Sequence, residues 1–282
     1  MAIIDDIRAA YRRGSMLMRI IYLNIGVWVV LRVFALLAFL FSVPALEITR
    51  WVELPADVHA LLYRPWTLLT YMVAHYDVLH ILFNMLWLYW LGSIFLNYFL
   101  PKQLTGLYIL GGLGGALLYI LAFLTLPAFD GITGTLIGAS ASIIAIVVAT
   151  AVWAPDYKIN LLFIGEVSLK WVAIVTIGVD LLSINQMNTG GHVAHLGGAV
   201  VGVIFALAMR RGVDITRPVN AVVDSVVTLW PWRDRSGSAS ARKDQPPTQA
   251  EIDAILDKVR RSGYQSLSPK ERETLFRASG RK

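Results

Sequence analysis

Residues 136–145 read LIGASASIIA, and Ser140 and Ser142 interrupt a stretch otherwise suited to a hydrocarbon interior. A hydroxyl is a weak nucleophile until a base removes its proton. His195, in GHVAHLGGAVVG (191–202), offers such a base: a neutral imidazole accepts a proton, and partial burial keeps it neutral. Attack on a carbonyl creates an oxyanion that needs donors already in place. Asn84 carries an amide NH2 and His80 a ring N–H, and the spacing H-x-x-x-N puts both on one helix face. The backbone N–H of Ser140 adds a third donor, while Ala139 and Ala141 leave room for a substrate backbone. No Asp or Glu lies near His195 in sequence, so the expectation is a Ser–His dyad rather than a triad. Ser142 lies about 200° from Ser140 around a helix and reads as a packing residue. Taken singly, Ser140 would be a packing serine and His195 an interhelical hydrogen-bonding group; the set carries the catalytic reading. His192 falls outside that chemistry, His75 reads as structural or solvated, and His59 carries no signal.

Such groups must be held by helices in a membrane. Of 282 residues 56% are hydrophobic and 16% charged, the mean hydropathy is +0.61, and several apolar runs reach the ~20 residues that cross a bilayer core. The absence of cysteine excludes disulfides, thiolate catalysis and Cys-type zinc sites. Six spans are expected, at 20–41, 79–100, 104–126, 136–154, 171–185 and 191–209, the fifth being short. Arg8, Arg12, Arg13, Arg19, Lys102, Lys158, Lys170, Arg210 and Arg211 all fall on one side of this arrangement, which makes both termini cytoplasmic. Asp5 and Asp6 sit where a cleavable signal would be basic. Counting 1.5 Å per residue from the inner boundary places Ser140 at about 21 Å, His195 at about 22 Å, Asn84 at about 27 Å and His80 at about 33 Å. Three helices thus bring polar groups into the outer part of the membrane. Arg32 and Asp180 also lie within spans, at heights compatible with a pair. The glycine pairs Gly111/Gly115 and Gly198/Gly202 suit close helix packing.

HILFNMLWLYWLG (80–92), GASAS (138–142) and HVAHLGGAVVG (192–202), in that order on alternate helices, resemble the rhomboid family of intramembrane serine proteases. The likeness covers about residues 60–210. It implies Ser140 as nucleophile, His195 as base, and His80 and Asn84 as oxyanion donors. It also implies a six-helix core with a membrane-embedded first loop and a mobile fifth helix. Transmembrane-helix proteins would be the substrates, and no cofactor would be needed. Ala141, Ile144 and Thr67 stand where the family more often has glycine, an aromatic residue and arginine. An alternative is a catalytically silent rhomboid-like protein that binds client transmembrane helices. A second is a metal- or haem-binding transporter or redox protein using His192 and His195, disfavoured because no helical carboxylate lies beside them in sequence.

The resulting fold class is an all-α membrane protein, a six-transmembrane-helix bundle with an interfacial first loop and a small cytoplasmic helical hairpin. Its expected parts are a cytoplasmic segment 1–19, a membrane domain 20–211, a flexible linker 212–247 and a hairpin 248–280. Ten Lys/Arg and ten Asp/Glu precede Arg210, so the net +6 arises in the tail, from fifteen against nine. That charge suits a tail beside anionic lipid headgroups at a bacterial-style cytoplasmic (inner) membrane, and nucleic acid is not an expected partner. In the tail, Thr248 with Glu251 forms a capping box ahead of an Ile252, Ile255, Leu256, Val259 stripe, and Ser268, Pro269 and Glu271 start a second helix.

Overall fold

The computed structural model describes residues 14–43, 46–161, 165–185, 188–229, 249–262, 267, 268 and 271. Thr248 and Leu275 through Phe276, like most of segments 1–19 and 230–247, lie outside them. Helices stand on all six expected segments: α1 Met16–Leu40, α2 Val78–Phe95, α3 Pro101–Thr125, α4 Ser140–Trp153, α5 Leu169–Leu182 and α6 Thr189–Arg210. An apolar environment forces each backbone to satisfy its own polar groups, and helices do so locally. α1, α2, α3 and α6 are long and apolar enough to cross a membrane. α4 and α5 have 14 residues each, about 21 Å of helix against a ~30 Å hydrocarbon core.

The shortness of α4 has a local cause. Residues 136–139, expected as its first turn, are not helical: Thr135–Leu136 forms a strand, and Gly138 has φ +124°, a conformation that favours glycine. The helix therefore opens at Ser140. From Ala141 to Ala151 every residue of α4 is buried. The expected glycine pairs make this possible. A methyl at Gly111 or Gly115 would collide with Ala145 or Ala141, and one at Gly198 or Gly202 would run into the carbonyl of Ala141 or Ala145. α4 is thus gripped between α3 and α6 at backbone distance, as small residues permit in lipid. The Ala141 methyl sits against Gly115.

Two short antiparallel ladders modify the all-α expectation. Leu54–Pro55 pairs with Thr135–Leu136, and Lys158–Leu161 pairs with Gly165–Ser168 between α4 and α5. The first ties the long loop after α1 to the segment leading into Ser140, reinforced by Ala56 N–H donating to Gly134 O at 2.9 Å and Gly138 N–H to Tyr71 O at 2.9 Å. That loop is partly helical, with turns at Leu46–Thr49, Val58–Tyr63 and Thr67–Thr70. Trp51 and Trp66 stack at 5.7 Å and are exposed, with Trp66 Nε1 donating to Trp51 O. Polar groups also lock α1 to the bundle: Tyr108 of α3 donates to Met72 O at 2.7 Å, and fully buried Asn24 donates to Tyr108 Oη at 3.2 Å.

The chain divides into two compact units at Asp224/Ser225. A helix not anticipated from the sequence, α7 Arg217–Leu229, occupies the first part of the stretch read as linker. Within the first unit its start is fixed by Asp214, which accepts from Thr216 N–H and Oγ1 and from Gln103 Nε2, and Asp224 pairs with Lys102 at 2.6 Å. In the second unit α8, Gln249–Ser262, buries Ile255 but leaves Leu256 half-exposed, which narrows the expected stripe. Ser268 and Glu271, expected only to start a helix, bond reciprocally through side chain and backbone as a capping box, the arrangement expected instead at Thr248 and Glu251, and Glu271 also pairs with Lys258 at 2.9 Å.

Candidate active site

Ser140 is the first residue of α4, so its Oγ and N–H emerge from a helix start whose first-turn donors lack intrahelical acceptors. The Gly138 turn aims that start across the bundle toward α6. His195 lies on the facing side of α6, and its Nε2 is 2.6 Å from Ser140 Oγ. Both residues are partly buried, neither sealed nor fully wet. The close approach follows from Gly198, one turn beyond His195, which lets α6 ride against the Ala141 backbone.

The other ring nitrogen of His195 has a carboxylate partner that the expectation of a dyad did not include. Nδ1 lies 2.8 Å from Oδ1 of Asp180, which reaches over from α5. Asp180 is 5% exposed, and its Oδ2 is buried with no hydrogen-bond partner among the described residues. A carboxylate can only accept, so Nδ1 carries the hydrogen and Nε2 turns its lone pair to Ser140. His192 points its own Nδ1 at the same Oδ1, also at 2.8 Å. Asp180 is therefore not paired with Arg32, whose guanidinium lies 5.9 Å from the Trp28 ring centroid on α1. The missing signal was present as an acidic residue inside an apolar helix. Its partner was obscured because fifteen residues and a helix reversal separate it from His195.

The opposite flank of Ser140 is built from α2 and the loop before it. His80 packs its ring on Gly138: a Cβ placed there would lie 2.9 Å from His80 Nε2 and 3.9 Å from Ser140 Oγ. His80 thus borders Ser140. Asn84, buried one turn along α2, donates its amide to the His80 carbonyl at 2.8 Å, so that group is engaged within its own helix. His75 is 2% exposed, buried rather than solvated, and closer to the site than its sequence position suggested. It accepts from Ala139 N–H at 3.4 Å and meets the His80 ring edge-on at 5.0 Å. Burial, with the neighbouring His80 second, pulls the His75 pKa down to about 3. Ser142 Oγ is buried without a partner among the described residues, and the residue packs against Gly111.

Asp180, His192 and His195 together form a cluster able to hold a metal ion, since one ligand atom from each lies within 4.8 Å of the others. A carboxylate therefore stands beside these histidines in the fold although none does in the sequence. The Ser140 contact nonetheless gives His195 a second occupation that a simple metal ligand does not explain.

The Rhomboid domain matches residues 63–212, and a family of unknown function (DUF6576) matches residues 241–281. Over 158 residues, covering 52% of this chain, the sequence is 32% identical to RHOMBOID-like protein 12, mitochondrial, of Arabidopsis thaliana. The match takes in 47% of that relative, so the chain spans about half its length.

Proposed function

We propose that this chain, which belongs to the rhomboid family, is an intramembrane serine endopeptidase that cuts transmembrane segments of other membrane proteins. The observation that carries the reading is the 2.6 Å contact between Ser140 Oγ and His195 Nε2. Ser140 attacks the scissile carbonyl as its proton passes to Nε2. The imidazolium formed is stabilised by Asp180 at Nδ1, which also holds the ring in the tautomer that can accept. The oxyanion faces the Ser140 N–H and the His80 ring, and Asn84 joins them by releasing the His80 carbonyl. Collapse expels the amine, which takes the proton from His195. Water, activated by the same nitrogen, then frees the acyl group. Every step uses side chains and backbone of this chain with water, and none requires a cofactor.

The substrates are single-span or multispan membrane proteins whose helices unwind near the outer rim of the bilayer. The first loop lies at the headgroup level, its exposed Trp51, Tyr63 and Trp66 serving as interfacial anchors. All six helices contribute to the membrane domain, with both termini on the cytoplasmic face of an inner membrane. Reconstitution with a transmembrane reporter, followed by mass mapping of fragments, tests the assignment. Wild type is expected to cleave near one end of the reporter helix and Ser140→Ala to leave it whole. A wild-type protein that captures the reporter without cutting it would establish the silent, client-binding alternative.

A further inference from the structure

We propose that Asp180, His192 and His195 form an inhibitory site for a divalent cation of the zinc class; binding stands on geometry alone, whereas inhibition rests on the proteolytic reading above. His192 carries the argument. A Ser–His–carboxylate relay needs one imidazole on the carboxylate, yet two aim the same ring nitrogen at the same oxygen, each at 2.8 Å. The two histidines are three residues apart on one face of α6, and the carboxylate comes from a different helix. Two imidazole nitrogens with one carboxylate oxygen is a donor set that suits Zn2+, with a fourth position left for water. The three atoms already lie within 4.8 Å of one another. Tetrahedral zinc separates its ligand atoms by about 3.3 Å, given metal–ligand bonds of ~2.0–2.2 Å. Small side-chain rotations cover that difference. Asp180 Oδ2, buried and without a partner among the described residues, is a second oxygen that such a cation would satisfy.

Coordination has a defined consequence for Ser140. A nitrogen that binds metal must present a lone pair, so each Nδ1 gives up its hydrogen. The hydrogen moves to Nε2, the imidazole stays neutral, and no net proton is lost from the ring. On His195 that hydrogen then faces Ser140 Oγ, 2.6 Å away. Nε2 becomes a donor and can no longer remove the serine proton. One cation thereby converts the base into its unproductive tautomer, without displacing the nucleophile or closing the cleft.

The test uses tag-free, full-length protein in detergent, titrated with zinc chloride alone against a magnesium chloride control. Ser140→Ala is the reference for binding, because it needs no activity. One zinc per chain is expected by calorimetry and by metal analysis after desalting. His192→Ala and Asp180→Asn are expected to weaken binding by at least the about 10–100-fold that altering even a ligand's supporting hydrogen bond costs. In the cleavage assay, zinc should suppress the wild-type rate at least tenfold and a chelator restore it, with each variant's sensitivity scored against its own zinc-free rate. The midpoint for His192→Ala should shift by the same factor as its affinity. Ser140→Ala that binds no zinc above the magnesium background would overturn the site, as would undiminished binding by His192→Ala. Zinc binding that depends on His192 in a wild-type protein that never cleaves would preserve the site and refute the proteolytic reading, together with the inhibition.

Discussion

The two flanks of Ser140 hold their imidazoles by different physics. On the proposed base side, His195 and His192 are oriented by a buried carboxylate, and a single oxygen of Asp180 serves both. On the side proposed to receive the oxyanion, His80 and His75 meet edge-on against a glycine turn that backbone hydrogen bonds fix from below. The first arrangement depends on charge and tautomer and tolerates small movements of the backbone. The second depends on shape and on the positive φ of Gly138, and tolerates little. Substitutions that preserve shape should therefore harm the base side, and those that preserve polarity but add bulk should harm the other.

The largest effects are expected at the contact that joins the flanks. Ser140→Ala and His195→Ala should each lower cleavage of a reconstituted reporter by about 10⁴-fold or more, because nucleophile and base act as a unit. Asp180→Asn should follow, with kcat reduced by about 10²–10⁴-fold, since its amide can donate to Nδ1 and stabilise the wrong tautomer. An unchanged KM in the same assay would distinguish this from loss of the fold. Asn84→Ala should cost about 10²-fold, at the lower end for a single oxyanion donor. Gly138→Ala, measured by thermal unfolding, should destabilise by about 1–3 kcal/mol through strain at its backbone angle, in addition to crowding His80. A tolerant Gly138 together with a tolerant Asp180 would erase the contrast between the flanks.

The smallest effect concerns pH. His75 folds as a neutral imidazole, its pKa lowered from 6.5 to about 3 chiefly by burial. A depressed folded value means that its contribution is fully present above pH 6.5 and is lost as pH falls from there toward 3. The melting temperature of wild type should decline across that window, and His75→Gln should decline less. Parallel declines would show that His75 does not titrate with the fold.

Much of this was legible in the sequence. Apolar runs located all six helices, and the glycine pairs marked α3 and α6 for close packing, but not that α4 is what they pack against. Ser140 and His195 stood out because hydroxyl and imidazole are costly in such runs, and depth counting brought them to similar heights, about 21 and 22 Å. Asp180 was visible as an intramembrane charge, but height alone cannot choose between Arg32 and two histidines; rotation about the helix axes decides it. The late start of α4 escaped because a left-handed glycine leaves no trace in hydropathy. α7 was missed because its apolar residues, Val222 and Val226 among them, sit in a segment whose polarity reads as linker.

The central claim, that His195 activates Ser140, is tested most directly by covalent labelling with a fluorophosphonate, which reacts with a serine only when a base is poised beside it. Wild-type protein should acquire one adduct, mapped by mass spectrometry to Ser140, and the labelling rate should collapse in His195→Ala. Labelling of Ser140 at an undiminished rate in His195→Ala, or none in the wild type, would contradict the account.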